Sequence, residues 1–274
     1  MTQEERLDYL LKAFIVDSND YKKLEIPDDI SEKRKILRSL MNIRMPRSIS
    51  SEVLEIQDEY LKARAQEKGI VFLKDIPTVR EAYKSNKPYS NILSIWQGDI
   101  TRLACDAIVN AANSQMLGCF LPMHLCIDNS IHTFAGIQLR AECCKQMNKL
   151  REKYGYEYEQ PTSIPMITDG YNLPTKNIIH VVGPVINGKV GAKQKQELAD
   201  CYINSLNLCK EKNLKSIAFC CISTGVFHFP NNIAAEIAVE TVTNWLASNN
   251  HQMERIIFNV FKDEDRLLYE KLLS

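Results

Sequence analysis

The chain has 274 residues, and its 34 lysines and arginines balance its 34 aspartates and glutamates. That length suits one large domain, or one domain with an appendage. Without a basic excess, neither nucleic acid nor an anionic membrane is an expected partner. No apolar run approaches the roughly 20 residues needed to span a bilayer. The opening MTQEERLDYLLKAF is acidic and amphipathic, unlike a secretory signal, so the expected compartment is the cytoplasm.

Helical patterns come first. Thr2 and Glu5 have capping-box spacing, with Leu7, Leu10, Leu11 and Phe14 following at helical intervals. Ser31 is expected to cap a second helix that places Ile36, Leu37, Leu40 and Met41 on one face. The stretch SEVLEIQDEYLKARAQEKG predicts a third, aligning Val53, Ile56 and Tyr60 and stopping at Gly69. Residues 1–85 therefore read as an N-terminal helical extension, joined through the turn-rich YKSNKPYSN at 83–91. Over 86–274 the texture changes. The strand-like runs ILSIWQGDI, DAIVNAAN, NIIHVVGP, SIAFCCIST and RIIFNVF alternate with helix candidates at 129–154, 193–213, 231–248 and about 263–273. Strands rich in Ile and Val, alternating with helices, predict an α/β sheet covered on both faces.

In such sheets, ligands bind beyond the carboxyl ends of the strands. Three strand exits carry polar or small residues: GDIT, NAANS and STGVFHFP. Asp99 in GDIT could accept a hydrogen bond from an exocyclic amine while Ile100 offers apolar contact; equally, Asp99 could be a turn or capping residue. Asn110 and Asn113 in NAAN have amides able to orient a sugar hydroxyl, though asparagine is common in turns. Ser223 to Phe227, STGVF, places small residues between a strand and a helix start, where backbone amides can approach a phosphate or diphosphate. The segment matches neither a P-loop nor a Rossmann fingerprint.

Nine cysteines without a secretion signal argue against a disulfide framework. Cys143, Cys144, Cys201, Cys209, Cys220 and Cys221 fall in helical or strand-like stretches and read as small buried hydrophobes. GCFLPMHLCIDNSIH is different, because Cys119, His124 and Cys126 lie within eight positions. Gly118 and Pro122 disfavour a helix there, and His124 and Cys126 share one side of an extended chain. Thiolate and imidazole suit Zn²⁺, and three ligands rather than four suggest a catalytic site with an open position. His132 or His228 could instead close a structural site. A coincidental cluster stays possible, whereas Cys-x-x-Cys redox spacing and the zinc-deaminase pattern are both missing. Asp128 is expected to cap the following helix, whose amino end adds a second anion-binding position.

Taken in order, GDIT, AIVNAAN, IDNSIHTFAG, HVVGP and STGVFHFP resemble the macrodomain family, which binds ADP-ribose. The resemblance covers roughly residues 90–270. It implies a three-layer α/β/α fold around a mixed sheet. It also implies adenine recognition by Asp99 and Ile100, ribose contact by Asn113, and diphosphate cradling by Ser223, Thr224, Gly225, Val226 and Phe227. Cys126, Ile127 and Asp128 would complete the ligand contacts. GCFLPMHLC replaces the glycine run common in hydrolytic macrodomains and resembles a zinc-dependent microbial branch with a helical N-terminal extension. In that branch the corresponding Cys, His and Cys hold catalytic zinc.

The resemblance implies a zinc-dependent protein-ADP-ribose hydrolase acting on mono-ADP-ribosylated protein, with one zinc per chain and no redox cofactor. Cys119, His124, Cys126, Asn113 and Asp128 would carry catalysis. By analogy, a lipoyl-carrier protein modified by a sirtuin-like ADP-ribosyltransferase is a candidate partner. The rival expectations are a non-catalytic ADP-ribose reader and a hydrolase of a small derivative such as O-acetyl-ADP-ribose.

Overall fold

The computed structural model describes residues 1–18 and 20–274. In chain order its helices are α1 (Gln3–Asp17), α2 (Ile30–Ile43), α3 (Ser51–Lys68), α4 (Val79–Tyr83), α5 (Ile127–Ala135), α6 (Ile137–Tyr154), α7 (Ala192–Glu211), α8 (Asn231–Ser248) and α9 (Asp263–Leu273). The strands are β1 (Val71–Phe72), β2 (Leu93–Gln97), β3 (Leu103–Ala104), β4 (Ala107–Ala112), β5 (Met166–Asp169), β6 (Asn177–Val182), β7 (Ser216–Phe219) and β8 (Arg255–Val260). Two compact units emerge. The first holds Met1–Gly69, Leu117–Tyr158 and Tyr171–Leu173; the second holds Ile70–Met116, Glu159–Gly170 and Pro174–Ser274.

The first unit is helical. Thr2 and Glu5 form the expected capping box, with Thr2 Oγ1 accepting from the Glu5 amide at 3.1 Å and Glu5 Oε2 from the Thr2 amide at 2.7 Å. Leu7, Leu10, Leu11 and Phe14 of α1 then enter a core with Leu37, Leu40 and Met41 of α2 and Val53, Tyr60 and Leu61 of α3. The cap of α2 is not Ser31. Asp29 takes that place, its Oδ1 accepting from the Glu32 amide at 2.9 Å, and Ser31 lies inside the helix. A carboxylate there both satisfies an orphan amide and opposes the helix dipole. Helix α3 begins after Ser50 and ends at Gly69, as its pattern predicts.

The single helix expected at 129–154 is two helices, α5 and α6, broken at Gly136. Gly136 adopts φ +99°, and a Cβ there would lie 2.8 Å from Gln57 Nε2. Gln57, fully buried on α3, accepts the orphan Ile137 amide on its Oε1 at 3.1 Å. A tertiary contact thus supplies the start of α6, which apolar periodicity cannot reveal.

The second unit is built on a six-stranded sheet of order β2-β8-β7-β4-β6-β5. All neighbours run parallel except β5, which pairs antiparallel with β6 and makes the sheet mixed, as expected. Ile108, Val109, Ile178, Ile179, Val181, Ile217, Ala218, Ile256, Ile257 and Phe258 are buried, the continuous apolar runs of a sheet covered on both faces. Helix α9 packs on β2 and β8, α7 lies on β6, and α8 sits between α7 and α9. Strand β5 went unpredicted because MITD has four residues and buries only two of them. Because β2, β4 and β7 point the same way, their exits GDIT, NAANS and STGVF emerge at one edge of the sheet, where a parallel sheet places its ligand. Among the described residues, no helix is long and apolar enough to cross a membrane.

Candidate active site

At the first exit, Asp99 acts as a local cap. Its Oδ1 accepts from the Thr101 amide at 3.0 Å and the Thr101 hydroxyl at 2.6 Å, starting a 3-10 turn over Ile100–Arg102. Ile100 is buried at the same turn. At the second exit, Asn113 Oδ1 accepts from the Gln115 amide at 3.1 Å, an Asx turn, while Glu159 receives the Ser114 hydroxyl and the Gln115 side-chain amide. Asn110 has a different task. Its Nδ2 donates to His180 Nδ1 at 3.1 Å, and His180 Nε2–H donates to Thr168 Oγ1 at 3.0 Å. Burial alone pushes His180 down to about 3, so the ring stays neutral within this chain of hydrogen bonds. NAAN therefore divides between one buried structural asparagine and one at the turn.

The third exit is a strained turn. Ser223 has φ +64°, a region that costs a non-glycine residue about 1 kcal/mol or more. Its hydroxyl is buried without a hydrogen-bond partner and faces Gly183, where any Cβ would lie only 2.0 Å from Ser223 Oγ. The amides of Thr224, His228 and Phe229 donate to Cys221 O, Gly225 O and Ser223 O. Those of Gly225, Val226 and Phe227 make no backbone hydrogen bond among the described residues, and Gly225 and Val226 are exposed. Consecutive uncommitted amides in such a turn form a concave anion cradle.

In the first unit, Cys119, His124 and Cys126 come together, each half-buried, with their ligand atoms all within 4.8 Å of one another. Cys119 Sγ lies 3.4 Å from His124 Nδ1. His132 is outside this group. It stands one turn beyond Asp128, its Nε2 3.5 Å from Asp128 Oδ1, and its ring packs so closely on Gly118 that a Cβ there would lie 2.7 Å away. His228 belongs to the second unit, exposed at φ +57°.

Asp128 does not cap α5. Cys126 does, its Sγ accepting from the Asn129 amide at 3.4 Å, while Ile127 and Asp128 are already helical. The cap position lies three residues before a satisfied amide, and Cys126 fills it because its sulfur accepts weakly but sits at that spacing. Asp128, 5% exposed, is thus placed in the first turn, where a carboxylate is favoured by the helix dipole.

The donor chemistry fits zinc. Burial, opposed by the Asn129 amide and reinforced by the charge of Cys119, leaves the Cys126 thiol pushed up to about 12. Thiolate with imidazole is a zinc donor set, and a cation held there would favour the Cys126 thiolate that burial disfavours. Of the other cysteines, Cys105, Cys143, Cys201, Cys209 and Cys220 are buried, while Cys144 and Cys221, also expected to be buried, are half-buried. Burial raises Cys105, Cys209 and Cys220 to about 12, and Cys143, Cys201 and Cys221 also upward, which keeps them protonated and inert.

Sequence reading missed the side chains that hold the ligand loop. Arg140, 4% exposed, donates through Nη1 to Met41 O, Asn42 O and Arg44 O at the end of α2, and through Nη2 to Cys119 O at 3.4 Å. Arg38 donates to Asn129 Oδ1 and to His124 O. Nothing local marks these residues, since their partners lie 21 to 99 positions away.

Residues 109–238 match the family described as Macro domain. A protein-ADP-ribose hydrolase of Treponema medium is 47% identical over 274 residues, covering 100% of both chains. The chain belongs to the macrodomain family. A second relative, a protein-ADP-ribose hydrolase of Staphylococcus aureus, is 40% identical over 98% of this macrodomain chain and 95% of its own. Among solved structures, a mutant Oceanobacillus iheyensis macrodomain with ADPR aligns with a TM-score of 0.61 at 36% identity, over 69% of this chain and 95% of that one.

Proposed function

We propose that this macrodomain, a protein-ADP-ribose hydrolase, removes mono-ADP-ribose from modified protein side chains with the help of one zinc ion held by Cys119, His124 and Cys126. The observation that carries the zinc is the gathering of those three donor atoms within 4.8 Å. When bound, zinc supplies a Lewis acid that stabilises negative charge or orients oxygen ligands.

The remaining work falls to the chain's own residues. The bond to be broken joins the anomeric carbon of the terminal ribose to a protein side chain, and positive charge builds on that carbon as the leaving group departs. Asp99 receives the exocyclic amine of adenine on a carboxylate already held by Thr101, with Ile100 the neighbouring apolar residue of the same turn. The amides of Gly225, Val226 and Phe227, with Ser223 and Thr224, hold the diphosphate, so binding energy remote from the reacting carbon positions it. Asn113 fixes the ribose from its Asx turn, and Asp128 orients a water or hydroxyl from the first turn of α5, beside Cys126 and Ile127.

A lipoyl-carrier protein modified by a sirtuin-like transferase is the candidate target that the family resemblance suggests. We read residues 1–85 as the extension and 86–274 as the macrodomain. Nine free cysteines fit a reducing cytoplasm.

The test is to assay metal in the purified protein and time the release of ADP-ribose from a modified protein before and after chelation. About one zinc per chain, and turnover that falls with its removal and returns with its addition, is the expected result. Full activity in a metal-free preparation overturns the zinc assignment.

A further inference from the structure

The ligand-bearing segment 119–126 belongs to no helix or strand. Among the described residues its one internal backbone hydrogen bond runs from the His124 amide to Leu121 O at 3.2 Å. Leu125, between two ligands, is 93% exposed, and Cys119, Phe120, Met123, His124 and Cys126 are only half-buried. Its shape is imposed from outside. Asn42 Oδ1 accepts the Met123 amide at 3.2 Å, Arg38 Nη2 donates to His124 O at 3.2 Å, and Asn129 Nδ2 donates to Leu121 O at 2.9 Å. The Asn129 backbone amide meets Cys126 Sγ itself.

Two of these anchors, Arg38 and Asn42, stand one turn apart on α2 and so share a face. Asn42, 1% exposed, is held in turn by its Nδ2 donating to Thr133 Oγ1 at 2.9 Å. Arg38 does two things at once. Its Nε and Nη2 clasp Asn129 Oδ1 at 3.1 and 2.6 Å, while Nη2 also reaches the carbonyl of the ligand His124. Clasping Oδ1 turns the other end of the Asn129 amide toward Leu121 O, so one guanidinium orients both halves of the loop. A lysine, with a single compact charge, cannot reproduce that fork.

We propose that α2 is the positioning strut of the metal loop, and that Arg38 is the positioning residue which keeps Cys119, His124 and Cys126 preorganised for one cation. The N-terminal helices then serve the metal site directly, through named hydrogen bonds, rather than only enlarging a core. The proposal deepens the zinc reading and rests on it. A preorganised site loses little freedom on binding metal, whereas a loop released from its anchors must be ordered by the ion.

The test compares the full-length wild-type chain with Arg38→Ala, Arg38→Lys and Arg6→Ala. Arg6 pairs with Glu59 between α1 and α3 and has no bond to the loop, so its variant controls for general loosening of the helices. Zinc affinity is read by competition with a chromophoric chelator, zinc release by its rate, and ligand geometry by the absorption of the Co²⁺-loaded protein. Arg38→Ala should bind zinc about tenfold to a hundredfold more weakly and release it faster, with an altered cobalt spectrum. Arg38→Lys should fall between, and Arg6→Ala should match wild type. If Arg38→Ala does not fold, the lysine variant carries the comparison. Wild-type affinity in the Arg38 variants, or an equal loss in Arg6→Ala, overturns the strut while leaving zinc in place. A wild-type chain that binds neither metal overturns the zinc reading and the strut with it.

Discussion

Loop 223–227 leaves β7 between two strands that hold it in register, β4 and β8, and its own turn closes through Phe229 N to Ser223 O. Loop 119–126 has no ladder on either side and is held by side chains of Arg38, Asn42, Asn129 and Arg140. The first arrangement presents backbone amides, which need only a rigid frame and a tight turn. The second presents side-chain ligands, whose atoms must meet within a few ångströms, and it gains that precision from long polar side chains that reach the loop backbone. Anion binding by backbone is therefore cheap to encode locally, whereas a metal site on an irregular loop depends on residues far away in sequence.

The largest effect should separate the two regions by pH. His180, on β6, and Asp106, just before β4, both belong to the second unit. His180 is pushed down by burial to about 3, so between its unfolded value of about 6.5 and 3 the unfolded chain binds the extra proton. The contribution of His180 should fall steadily across that window, by on the order of 1 kcal/mol per pH unit, and change no further below it. For Asp106 burial acts upward but is outweighed by Lys176, the Lys215 amide and Ser216, so its carboxyl is lowered. Its contribution is present above the usual carboxylate range and disappears as pH falls through its lowered value. Denaturant melts from pH 7 to pH 3 check this; a His180→Gln variant should flatten the upper part of the curve.

Next comes Cys126→Ser. The hydroxyl keeps a cap for α5 but is a poor zinc ligand, so turnover should fall more than about a hundredfold while ADP-ribose affinity, measured calorimetrically, stays within a few-fold. Equal losses of turnover and affinity would mean that the metal loop and the anion cradle are not separable in this way. Smaller still is Gly118→Ala. Its φ of +77° and the His132 ring in the way of a Cβ predict a cost of about 1–3 kcal/mol in stability, with metal affinity reduced as well. Smallest is the pair of caps on α2. Asp29→Ala should cost about 1 kcal/mol, and Ser31→Ala should stay within about 0.5 kcal/mol, both read from chemical denaturation.

Much of the second unit was legible because parallel strands write themselves as short Ile and Val runs separated by helical patterns. DAIVNAAN, NIIHVVGP, SIAFCCIST and RIIFNVF each became a strand close to its expected place. The ligand triad was legible too, since Cys119, His124 and Cys126 are near neighbours in the chain. The caps were harder. Asp29 and Cys126 took roles assigned to Ser31 and Asp128, because several polar residues stand near each helix start and only the final backbone path selects among them.

Local periodicity, the Thr2–Glu5 capping box, the stop at Gly69 and the crowding of two thiols around His124 were properties of adjacent residues, and the sequence by itself determined them. The break at Gly136, the neutral His180 between Asn110 and Thr168, and the grip of Arg38 on residues 124 and 129 were decided only by tertiary structure. Each of these pairs donors and acceptors from 12 to about 90 positions apart. Buried polar groups must find partners, but no pattern of neighbouring residues says which distant group will arrive.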